Sequence, residues 1–192
     1  MMSESEMLTR YLQEQRDALL WKLDGAGEYD ARRPVTATGT NLLGLVKHVA
    51  SMEIGYFGEA CGRPNAVDMP WLAETAEPND DMYATADESR EWVVDLYRRA
   101  WANTDAVIAE LGLDAEAVVP WWGEKTRRTD VRRLIVHMIA ETARHTGHAD
   151  IVREQIDGFA GLYDGNDNLP DDDRAWWDAY RARVQAAAEA FA

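Results

Sequence analysis

The chain has 192 residues, 46% hydrophobic, with eight tryptophans, a length that suits one domain with a real core. Thirty-five acidic against 20 basic residues give a formal charge of −15, which repels phosphate backbones and anionic lipid and argues against nucleic-acid and membrane partners. No apolar run reaches bilayer length, the start MMSESEMLTR is too acidic and polar for a signal peptide, and Cys61 is a lone cysteine, so a cytoplasmic protein without an intrachain disulfide is expected.

Four long helical patterns and a shorter fifth follow in chain order. The first spans about Ser5 to Asp24, with Ser3 and Glu6 spaced as a capping box, Leu8, Leu12, Leu19 and Leu23 at helical intervals, and Gly25 as its stop. The second spans about Thr40 to Cys61, with Leu42, Leu45, Val46, Val49, Met52 and Tyr56 as its apolar stripe. A long connection, CGRPNAVDMPWLAETAEPNDDMY, precedes the third, about Asp87 to Leu111, for which Thr85 and Glu88 are the expected cap. A connection of that length can cross the molecule and set two helices parallel in a bundle. The segment DAEAVVPWWGEKTRRTD then has the makings of a small hairpin. The fourth helix, about Asp130 to Asp157, is the longest. After the acidic loop DGNDNLPDDD, a fifth from about Asp172 to Phe191 carries Trp176, Trp177 and Tyr180. Its aromatic face is expected either to pack on its own bundle or to form a homodimer. The expected fold is all-α: residues 1–160 form the bundle, and residues 161–192 add an acidic loop and a C-terminal packing helix to the same domain.

Three of the four histidines fall within HMIAETARHTGH, residues 137–148. At about 100° per residue, Glu141, His148 and His145 lie about 40°, 20° and 80° from His137, on the arc that also carries Leu134, Met138 and Val152. Polar groups on an inward face need partners. One answer is that each finds its own hydrogen bond in the core. The other is a divalent metal: Glu141 and His145 stand one turn apart and can share an ion. His48, the remaining histidine, lies on the second helix near Gly44 and Gly55. With it the set becomes His₂Glu with open positions, the pattern of a catalytic rather than a structural site. Zinc and nickel both suit such donors.

The stretches LVKHVASMEIGYFG, PWWGE and RRLIVHMIAETARHTGHADIVREQIDG resemble the DinB-like (YfiT-like) superfamily of metal-dependent enzymes, in particular the actinobacterial branch near mycothiol-dependent enzymes. The resemblance covers about residues 5–160 and is most specific over ARHTGHADIVRE. It implies an up-down-down-up four-helix bundle with a long crossover between the second and third long helices. It also implies His48, Glu141 and His145 as metal ligands. Many members have histidine in the place of Glu141; mycothiol-dependent maleylpyruvate isomerase is similar to this chain in having glutamate. That isomerase carries a further domain, whereas only about 30 residues follow here, so isomerase activity itself is not expected.

A metal with an open position can hold a low-molecular-weight thiol as its thiolate, the reactive form. The resemblance makes mycothiol the expected co-substrate, a small electrophile the second substrate, and S-transfer the reaction. Two alternatives stand beside it: a metal-dependent hydrolase that activates water, and a non-catalytic bundle that binds metal or ligand. His148, Arg144, Glu53 and Trp121 are candidates to bind substrate or orient a ligand, with Glu53 or His148 as a base in the hydrolase reading. Trp122 is expected beside Trp121 in a loop over the site, and Cys61 is expected to be a packing residue.

Overall fold

The computed structural model describes residues 2–192. Six α-helices account for most of it: α1 (Glu4–Trp21), α2 (Glu28–Arg32), α3 (Leu42–Phe57), α4 (Arg90–Leu111), α5 (Val131–Asp157) and α6 (Arg174–Glu189). Two short strands, β1 (Glu116–Val118) and β2 (Arg128–Asp130), form the expected hairpin between α4 and α5, with antiparallel register Glu116 to Asp130 and Val118 to Arg128. The fold is therefore all-α apart from that ribbon. Among the described residues no helix is long and apolar enough to cross a membrane.

Local chemistry sets the helix ends. Ser3 and Glu6 form the reciprocal capping box at the start of α1. Asn41 caps α3 by accepting from the Gly44 amide, and Asp130 caps α5 by accepting from Arg133. Two boundaries differ from expectation. The cap of α4 is Ser89, which accepts from Trp92, while Thr85 and Glu88 close a separate turn one step earlier. α3 stops at Phe57 because Gly58 leaves helical geometry, and a 3₁₀ turn follows from Glu59 to Cys61. α2 lies in the connection between the first two long helical patterns, and five residues are too few for hydrophobic periodicity to register.

α3 is the central element: it packs against α4 and α5, and α1 packs against α5. Nearly every α3 residue from Leu42 to Phe57 is buried. Leu45, Val49, Ile54, Leu96, Val107, Leu134 and Met138 belong to one continuous core. Threaded through it is a polar pair. Arg16 on α1 donates to Glu53 on α3, and both side chains are fully buried. Arg16 also reaches the half-exposed Asp105 on α4 at 3.1 Å. Burial pushes the Glu53 carboxyl above its usual range even though the Arg16 guanidinium pulls it down.

α6 departs from its expected packing role: among the described residues, none of those in α6 is buried. Trp176 and Tyr180 stack on each other with centroids 5.5 Å apart, and Trp177 meets both edge-on. The preceding loop is better anchored. Lys22 donates to the Gly161 carbonyl, and Trp21 packs on Phe159 with ring centroids 4.7 Å apart.

Removing one partner of a sealed ion pair strands the other, at a cost of about 3–5 kcal/mol. Arg16→Met is expected to lower unfolding stability by about that amount in urea titrations, and Arg16→Met with Glu53→Leu to recover most of the loss. A single variant as stable as the wild type would show that the pair does not hold the helices together.

Candidate metal centre

The metal candidates sit on α3 and α5. His48 projects from the middle of α3, and Glu141 and His145 project from successive turns of α5. The α3–α5 contact brings the three together: one ligand atom from each lies within 4.8 Å of the others. Glu141 Oε1 is 3.1 Å from His145 Nε2 and 3.5 Å from His48 Nε2. The imidazole centroids are 4.7 Å apart.

The tautomer of His48 follows from its other nitrogen. Nδ1 lies 2.5 Å from Asp81 Oδ2. Burial raises the Asp81 carboxyl, but its hydrogen bond and charge interaction with His48 more than offset this and hold it below its ordinary value. Asp81 is therefore a carboxylate and accepts, so Nδ1 donates. In the tautomer with that proton on Nδ1, the Nε2 lone pair faces Glu141 and His145. A carboxylate behind a ligating histidine fixes both ring orientation and basicity.

The other two groups are held in ligand form as well. Burial, reinforced by the neighbouring His48, pushes His145 below its ordinary value of 6.5 despite the opposing Glu141, so it is neutral at neutral pH. Burial alone would raise Glu141, but its interactions with His145 and His48 outweigh it and keep the carboxyl ionised. In the tautomer with its proton on Nδ1, the His48 Nε2 lone pair and the Glu141 carboxylate oxygen face each other, with the His145 ring beside them. A cation among them relieves that opposition. Two imidazoles and one carboxylate fit a borderline divalent ion such as zinc or nickel.

Asp81 is the residue that sequence reasoning missed. It lies 33 positions from His48, in the connection between α3 and α4, and no spacing rule links them. Two α3 residues and the N-cap of α3 grip that connection. Lys47, buried, donates to the Asp80 and Tyr83 carbonyls, each at 3.0 Å, and to Glu88 at 2.9 Å. Asn41 donates to the Met82 carbonyl at 3.0 Å. Gly44 lies so close to Met82 that any β-carbon there would collide with it.

The remaining candidates separate. His148 is exposed and edge-on to His145, with centroids 5.4 Å apart. Arg144 is exposed on α5. Glu53 is sealed in its pair with Arg16, so the expected role as base or substrate contact does not suit it: a carboxylate closed off from solvent cannot trade protons with a ligand. Trp121 packs over Gly55 of α3 and shares the lining of a cavity with Met52, one turn beyond His48. Trp122 donates to the Tyr56 hydroxyl at 3.0 Å and meets His137 at 5.1 Å. His137 is thus enclosed by Tyr56 and Trp122 as a packing residue. Cys61 is half-buried, with Sγ 3.4 Å from the Tyr56 carbonyl, and burial pushes its thiol up.

Asp81→Asn should weaken zinc binding about 10–100-fold in a chelator competition titration, because the carboxylate that orients His48 is lost. Unchanged affinity would mean that Asp81 does not set the ligand. Cys61 should react with iodoacetamide at pH 7 more slowly than free cysteine, since its thiolate is disfavoured. Faster alkylation would mark it as an activated thiol.

Compared with known proteins, residues 7–158 match the family model described as Mycothiol-S-transferase. No curated protein gives a significant match.

Proposed function

This chain belongs to the mycothiol-S-transferase family, a DinB-like family, and on that premise we propose that it joins the sulfur of mycothiol to a small electrophile. The observation that carries the reading is the convergence of His48, Glu141 and His145 on one point, with Asp81 orienting His48. Those three side chains would hold a divalent metal, zinc or nickel. Bound there, the metal would supply Lewis acidity that lets a thiol lose its proton near neutral pH.

The protein's own groups do the rest. Asp81 keeps the Nε2 lone pair of His48 turned inward. Glu141 and Asp81 would contribute two negative charges beside the two imidazoles, balancing a bound dication. The thiol proton leaves, a carbon–sulfur bond forms at the electrophile, and either a leaving group departs or the electrophile takes up a proton. His148, exposed beside His145, is assigned the exchange of that proton with solvent. We read α1, α3, α4 and α5 as an up-down-down-up bundle, a reading supported by the long connection from α3 to α4. Residues 161–192 belong to the same domain in this reading, with the uncovered aromatic face of α6 as the place for a second copy. A cytoplasmic setting, where a small thiol is available, fits the reaction.

Tag-free protein should contain about one equivalent of divalent metal by plasma mass spectrometry, lost in His145→Ala. It should accelerate coupling of mycothiol to a bimane or aryl-halide electrophile, lose that activity on chelation and regain it with zinc or nickel. Metal-loaded protein that leaves the coupling at its uncatalysed rate, while hydrolysing ester or amide substrates, would overturn the transferase in favour of a hydrolase.

A further inference from the structure

A cavity of about 720 Å³ opens beside the metal centre, between α3 and the connection that follows it. That volume lies within the range of about 300–1,000 Å³ typical of small-molecule sites. The metal candidates do not line it, but Met52 and Gly55 do. At about 100° per residue, His48, Met52 and Gly55 fall within an arc of about 60° on one face of α3. At about 1.5 Å of rise per residue, the cavity floor begins roughly 6 Å from His48 and reaches Gly55 roughly 10 Å away. Any thiol whose sulfur reaches His48 and whose body follows this face must enter the cavity.

Its walls are chemically specific. Gly55 has no side chain, so the Trp121 indole lies against the helix, 3.3 Å from where a β-carbon would be. The hairpin β1–β2 presents Trp121, and its Nε1 lies 3.4 Å from the Tyr56 hydroxyl. Trp121 is 47% exposed, and indole faces of this kind receive the C–H faces of sugar and cyclitol rings. Glu59, Asp68 and Asn65 also line the cavity. Asn65 is fixed by accepting from the Glu59 amide at 3.1 Å. The cavity's ionisable groups are thus both acidic, in a chain of formal charge −15. Carboxylates accept from hydroxyls and repel anionic ligands.

We propose that this cavity holds the uncharged, polyhydroxylated scaffold of the thiol co-substrate, and that its acidic wall excludes anionic thiols. The inference rests on the mycothiol reading and deepens it. Mycothiol carries its cysteinyl group on a glucosaminyl-inositol body, rich in hydroxyls and without net charge. Glutathione carries a net negative charge and is disfavoured by Glu59 and Asp68. The electrophile then approaches from the other, His148 side of the centre.

The test uses full-length, metal-loaded protein and three variants: Trp121→Ala, Glu59→Gln with Asp68→Asn, and Glu59→Lys. All the altered side chains are solvent-exposed, and unchanged circular dichroism and metal content confirm each fold. Binding of the sulfur-free scaffold, as N-acetylglucosaminyl-inositol, whose nitrogen is acylated and uncharged as in mycothiol, is measured by calorimetry, which needs no turnover. It should be present in the wild type and weakened about tenfold or more in the first two variants, the loss of a ring-stacking surface or of charged hydrogen-bond acceptors. In turnover, the same variants should raise KM for mycothiol about tenfold with kcat little changed and KM for the electrophile unaltered. Glu59→Lys should raise the ratio of glutathione to mycothiol turnover. Absence of scaffold binding, or binding that survives all three changes, overturns the proposal. So does a KM shift confined to the electrophile. Absence of turnover with mycothiol, while the scaffold still binds in the cavity, strikes the transferase reading and leaves the cavity assignment standing.

Discussion

The buried ammonium of Lys47 constrains everything around the centre. A cation at 1% exposure in a helix interior must find acceptors. It finds two backbone carbonyls, from Asp80 and Tyr83, and the Glu88 carboxylate. Satisfying Lys47 therefore fixes residues 80–83 against α3, and Asp81 lies between the two residues whose carbonyls accept from it. The next residue on α3 is His48, about 100° around the helix, and Asp81 is already in place to accept from it. A packing requirement at one position thus sets the imidazole orientation at the next.

The same device recurs elsewhere. Although the surface is strongly acidic, most fully buried charges are cations: Arg16, Lys22, Lys47 and Arg153. Three of the four land on main-chain carbonyls of a distant segment. Lys22 reaches Gly161, Lys47 reaches Asp80 and Tyr83, and Arg153 reaches the carbonyls of Lys22 and Asp24, at 2.9 and 2.7 Å. Long cationic stems cover apolar surface, and their heads tie irregular chain to regular helix. Arg16 is the exception, pairing with Glu53 inside the core.

The helices were legible because a 3.6-residue period marks any segment that buries one face. The capping box at Ser3 and Glu6, the hairpin after α4, and the long α5 all follow from local rules. The pair Glu141 and His145 was legible from spacing, and His48 from its place as the remaining histidine together with the family resemblance. Asp81 was not, because PNDDMY reads as a solvated acidic loop and nothing local tells which acid turns inward. Glu53 misled for the converse reason. A glutamate in a helix looks available until tertiary packing sets Arg16 against it. α6 looked like a packing helix because amphipathicity reports that a face wants cover without saying what covers it.

The grip of α3 on residues 80–83 also bears on the order in which the molecule forms. Helical turns close within themselves and need only near neighbours, whereas the His48–Asp81 contact spans 33 positions, and after Phe57 that stretch holds only short 3₁₀ turns. Glu141 and His145 share one helix and come into register as soon as α5 winds. The two halves of the centre therefore mature on different clocks. The α5 half is ready when local structure is, and the α3 half waits for the connection to dock on Lys47. In reverse, loosening of residues 80–83 frees the His48 ring while both long helices stay wound, so the centre can lose its geometry well before the protein loses its fold.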